Sequence, residues 1–97
     1  MNTIMWSRLK EISKNIVGKN VEIFATTEML HQRAVVRSTP EMVEIILNLA
    51  YSKTPGQVIK SLAHELSHVL LGSDQHTNEF RLKWKSLESV ITEKYNR

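Results

Sequence analysis

The chain has no cysteine at all. That excludes a disulfide framework, a thiolate zinc site, an iron–sulfur cluster and a cysteine nucleophile. Glycine and proline are scarce, three and two residues, so they act as punctuation between elements rather than as linkers. No low-complexity tract or internal repeat is present. Aromatic residues are few, and none is interleaved with basic ones in the way that stacks single-stranded bases. No apolar run approaches the roughly 18–20 residues that cross a bilayer. No secretory leader is expected in the first residues, because Arg8, Lys10, Glu11 and Lys14 break any apolar stretch. The expectation is a soluble, cytoplasmic protein without a membrane partner.

What remains is a chain of 97 residues with 41% hydrophobic and 24% charged residues. That composition suits one ordered domain, spanning 1–97, and not a disordered chain. The net charge of +3 is mild. It permits attraction to nucleic acid, but the basic residues are scattered, with a loose cluster only at Arg81, Lys83 and Lys85.

Periodicity gives an α, β, β, β, α, α order. Met5, Leu9, Ile12 and Ile16 recur at helical spacing, and Gly18 follows where a C-terminal glycine ends a helix. Residues 21–26, 33–38 and 42–49 read as three short strands. Thr54 and Pro55 open a second helix that runs to Leu71, with Gly72 as its stop. A last helix covers about 77–95, with Phe80, Trp84, Leu87 and Ile91 on one stripe. The expected fold is α+β: an N-terminal helix, a small, mostly antiparallel three-stranded sheet, and two C-terminal helices.

The second helix contains His64-Glu65-Leu66-Ser67-His68, an H-E-x-x-H pattern. Residues i and i+4 project from one helix face, so two imidazoles can grip one Zn²⁺. Glu65 is displaced around the helix, where a carboxylate can take a proton from water at the metal and return it to a leaving amine. The plain alternative is a pair of half-buried helix histidines with Glu65 in solvent. Three polar residues in the middle of the most apolar helix argue against it. Two histidines do not complete a catalytic zinc site, so a third ligand is required. His76 and Glu79 are the candidates. On a helical wheel His76 lies with the packed face and Glu79 about 60° to its other side, which favours His76.

HELSH, a short loop and then His76-Thr77-Asn78-Glu79-Phe80 resemble the signature of SprT-like and WLM-type zinc metallopeptidases. The length and element order also resemble the minigluzincins, minimal zincin peptidases. The resemblance covers residues 42–87. It implies a zinc metalloendopeptidase with Zn²⁺ as cofactor, His64, His68 and His76 as ligands, and Glu65 as general base and acid. Gluzincin analogy would make Glu79 the third ligand instead. The implied partner is a peptide or protein substrate lying extended along a sheet edge; the strand at 42–49, just before the motif helix, is the expected edge. A latent or catalytically silent zinc module, or a nucleic-acid-associated one, is the competing reading. Tyr51, His31 and Tyr95 are candidates for stabilising an oxyanion by chemical type alone. Phe80 and Trp84 read as core, and Trp6 as the edge of the first helix.

Overall fold

A computed structural model describes residues 3–28, 32–72 and 74–97. Helix α1 is Trp6–Val17, followed by strands β1 (Asn20–Thr26), β2 (Ala34–Ser38) and β3 (Met42–Asn48), then helices α2 (Pro55–Leu71) and α3 (Asn78–Tyr95). The architecture is α+β, with the expected element order. Gly18 takes the left-handed conformation that closes α1, with φ 72°, and its N–H donates to Lys14 O.

The sheet is mixed, with strand order β1-β3-β2. Only the β2–β3 pair is antiparallel, and β1 runs parallel to β3. The expectation of a mostly antiparallel sheet holds for the hairpin and not for β1. The hairpin turns tightly at Pro40 and Glu41, where Thr39 N donates to Met42 O at 2.8 Å. The chain from β1 to β2 then crosses to the far side, leaving the middle slot for β3. The physical reason is burial: Val43, Ile45 and Leu47 of β3 are fully buried. The most apolar strand gains most from being covered and paired on both sides.

The assignment of β3 as the free edge is therefore wrong. β3 is paired along its whole length on both sides, and β1 and β2 are the edges. A period-2 pattern identifies a strand's buried face but does not say how many neighbours it has.

Helices α1 and α2 pack on the sheet and α3 packs on both helices. Leu9, Ile12, Val21, Leu62, Leu66 and Ile91 join the β3 side chains in one core. Tyr95, a candidate for stabilising an oxyanion by chemical type, is buried. Its hydroxyl accepts from Met5 N at 3.0 Å, and its carbonyl accepts from Arg8 Nη1 at 2.9 Å, tying the end of α3 to the start of α1. Trp6 packs half-buried against the core. No helix among the described residues is long and apolar enough to cross a membrane.

Candidate metal centre

Helix α2 is locally over-determined. Thr54 Oγ1 accepts from Gln57 N at 3.2 Å, and Gln57 Oε1 accepts in return from Thr54 N at 3.2 Å. This capping box satisfies amide groups that a helix start otherwise leaves without partners, and Pro55 at the first position lacks an N–H altogether. Val58, Ile59, Leu62, Ala63 and Leu66 anchor the inner face. The helix is thereby fixed in rotation, and His64 and His68 emerge together on the face turned toward α3.

Gly72 ends α2 in the left-handed conformation at φ 63°, with its N–H donating to His68 O at 2.9 Å. This turn sends the chain back across the helix. Thr77 then caps α3, its hydroxyl accepting from Phe80 N at 3.2 Å. His76 precedes that cap and lies outside the helix, so its position is set by the returning loop rather than by a wheel angle.

The three histidines converge. His64 Nε2 and His68 Nε2 are 3.2 Å apart, and His68 Nε2 and His76 Nε2 are 3.3 Å apart. All three donor atoms lie within 4.8 Å of one another, close enough to bind one metal ion. Two nitrogens at about 2.0–2.1 Å from a tetrahedral zinc would be about 3.3 Å apart. The donor set therefore fits a divalent ion that accepts imidazole, and it would leave a coordination position open. Glu79 is exposed in the first turn of α3 and does not belong to this group. There its charge favours the positive end of the helix dipole.

Phe80 is the floor of the cluster. It is almost fully buried, and its ring centroid lies 5.1, 4.4 and 4.9 Å from those of His64, His68 and His76. The sequence reading of Phe80 as core is right, and the same ring also keeps water from beneath the imidazoles. Trp84 packs against the core, as its spacing predicts, and also faces the histidines. It is half-buried, its ring meets His64 edge-on at 4.6 Å, and its Nε1 donates to Lys60 O at 3.0 Å. That contact pins α3 to α2 one turn before the histidines.

Electrostatics follow from burial and crowding. The His64 pKa is lowered to about 4, mainly because burial penalises the cation and further because His68 and His76 carry like charge. A neutral imidazole is the form that binds metal. Glu65 is buried with only 8% of its surface exposed. Burial pushes its carboxyl above the ordinary range; His68 opposes this and Asp74 adds to it.

Beside His64 and Glu65 a groove of about 430 Å³ opens. One wall is Gln32 and Arg33, just before β2, with Ala34 at its start; the other is Lys60, Ser61, His64 and Glu65 of α2, and Trp84 closes one end. Ser61 is fixed by a 2.9 Å hydrogen bond to Ser52 in the loop before α2. The groove thus runs along the free edge of β2. Arg33 O accepts from Asn48 N at 2.8 Å, so odd-numbered residues bond β3. Ladder alternation then turns the amide and carbonyl groups of Ala34 and Val36 outward. Nothing in the sequence marked Lys60, Arg33 or Trp84 as site residues, because their neighbours are set by strand order and helix crossing. Tyr51 is exposed, with the Arg33 guanidinium 5.8 Å from its ring centre, and does not line the groove. His31 lies outside the described residues.

Comparison with known protein families, curated proteins and solved structures finds no match to this chain.

Proposed function

We propose that the chain is a zinc-dependent peptidase that hydrolyses peptide bonds of an extended substrate held against the β2 edge. One observation carries the reading. A buried carboxyl, Glu65, lies next in sequence to the first of three converging imidazoles and lines the same groove as His64 and the β2 strand.

When bound, zinc would polarise a carbonyl oxygen and acidify water. His64, His68 and His76 would hold it, with Phe80 beneath them as a dry support. The Glu65 carboxylate takes one proton as the water oxygen attacks the carbonyl carbon. It then delivers that proton to the amide nitrogen as the C–N bond breaks, leaving a free amine and a carboxylic acid. In the metal-free chain burial raises the Glu65 carboxyl above the ordinary range. Ala34 and Val36 supply the outward backbone groups that pair with a substrate strand. The three ligands found among the described residues suit a catalytic metal, whose fourth position is taken by water or substrate. His76 as the third ligand favours the SprT-like and WLM-type resemblance over the gluzincin one.

The test is hydrolysis of a quenched-fluorescence peptide library by zinc-loaded wild type and Glu65→Gln, with zinc measured by elemental analysis. The expected result is cleavage by wild type and a loss of about 100-fold or more in the variant, with zinc retained. A variant that cuts as fast as wild type refutes the role of Glu65.

A further inference from the structure

The groove and the strand edge beside it carry two cations that, among the described residues, form no ion pair with a carboxylate. Lys60 is four residues before His64, one turn along the same face of α2, and is exposed. Arg33 stands on the opposite wall, immediately before β2. The ion pairs among the described residues are Lys10–Glu22, Lys14–Glu11, Arg37–Glu44 and Arg97–Glu93, and both groove cations are outside them. Both lie against aromatic rings instead. The Lys60 ammonium is 6.0 Å from the Trp84 ring centre and the Arg33 guanidinium 5.8 Å from that of Tyr51. Exposed cation–ring contacts are worth only about 0.5–1 kcal/mol, so these side chains turn readily to a carboxylate. Among the described residues that line the groove, Glu65 is the one acidic residue, and it is buried.

We infer that the groove selects acidic peptides, with carboxylate side chains at two adjacent positions of the bound strand. The adjacency comes from the pleat. Ala34 and Val36 pair with the buried residues Leu47 and Ile45, so they share the helix-facing side of the sheet, and Arg33 belongs to the opposite side. Successive side chains of a strand added to β2 alternate in the same way. One carboxylate falls on the helix side, by Lys60 and the Trp84 wall, and the next on the outer side, by Arg33. A substrate with lysine at these positions meets like charge on both sides.

This inference rests on the peptide-binding reading, and the experiment separates the two. Fluorescein-labelled ten-residue peptides that differ only in a central Glu-Glu, Gln-Gln or Lys-Lys step are titrated by anisotropy against the zinc-loaded Glu65→Gln chain, at 50 and 500 mM NaCl. The same peptides, unlabelled, are offered to zinc-loaded wild type for cleavage. The expected result is about three- to tenfold tighter binding of Glu-Glu than of Gln-Gln at low salt, with most of the difference lost at high salt. Lys60→Glu and Arg33→Glu, each added to Glu65→Gln, should each erase part of the preference, and both together should reverse it toward Lys-Lys. Lys60 and Arg33 are exposed, and circular dichroism checks that the variants keep their helix content; Lys60→Gln and Arg33→Gln give the milder, neutral step. Equal binding of the three peptides overturns the proposal, even if wild type cuts all of them. Preference without any cleavage sustains the acidic groove and sinks the peptidase reading instead. Equally tight displacement of the Glu-Glu peptide by oligothymidylate also overturns it, since the groove would then read a phosphate backbone.

Discussion

Replacing His76 with alanine removes one of three donors while leaving both helices intact, since His76 lies before the cap of α3 and is exposed. The consequence can be worked through as linkage between metal binding and unfolding. At free zinc about 1,000 times the dissociation constant, the folded state gains about 4.1 kcal/mol. At about 2.1 cal/mol/K per residue, a chain of 97 residues unfolds with an entropy near 0.2 kcal/mol/K, so the wild-type Tm should rise by about 20 °C. Each further tenfold in free zinc adds about 1.4 kcal/mol, or about 7 °C. Loss of a mere hydrogen-bond partner behind a ligand costs about 10–100-fold in affinity, so loss of the ligand itself should cost at least about 100-fold. The His76→Ala curve of Tm against log zinc should therefore lie at least two decades to the right, about 14 °C lower at any fixed excess. Chelator-buffered zinc series read by scanning fluorimetry provide the measurement, with Glu79→Ala as the control that should overlay wild type. A wild-type Tm indifferent to zinc, or a loss that follows Glu79→Ala and spares His76→Ala, refutes the three-histidine site.

Further outcomes follow from other parts of the structure. Gly72→Ala meets no steric neighbour but must hold φ 63°, so strain of about 1–2 kcal/mol should lower the metal-free Tm and weaken zinc affinity, because this turn returns His76 to the site. Thr54→Ala removes half of the capping box and should destabilise by about 1 kcal/mol in urea unfolding, without changing zinc stoichiometry. Ala34→Pro and Val36→Pro delete outward amides and should raise KM, whereas Val35→Pro breaks the ladder to β3 and should cost stability instead; equal effects at all three positions would discard β2 as the substrate edge. In chelator-treated protein, His64 titrates lower in the folded than in the unfolded state, so the folded chain binds fewer protons between pH 6.5 and about 4. Its contribution to stability is full above pH 6.5 and is lost as pH falls through that window; urea melts of wild type against His64→Gln should show a steeper acid loss in wild type.

Much of this was legible in the sequence because it is encoded locally. The Thr54-Pro55 start, the Gly72 stop and the i, i+4 spacing of His64 and His68 depend only on neighbours within a turn or two, and the structure reproduces them. Strand order is different. Whether Met42–Asn48 lies at the edge or the centre depends on competition among three strands for burial, and no local pattern carries that information. His76 was favoured by an angle calculated for a helix it does not join; the loop after Gly72 brings it to the site by another route. Trp84 has helical spacing that marks it as packed, but spacing cannot tell a core neighbour from a groove wall. In the structure it is both, packed against the core on one side and lining the groove on the other.

All three donor residues fall within the span from His64 to His76, so only the α2–α3 hairpin has to form before a metal can be gripped. The parallel β1–β3 pairing joins segments that are 22 residues apart in register, and closing that longer loop costs about 0.5 kcal/mol more chain entropy than closing the histidine span. An ion captured by the nascent hairpin would act on the order of events during folding. It would supply a formed helix pair, with Phe80 already seated, onto which the slower, non-local sheet can condense.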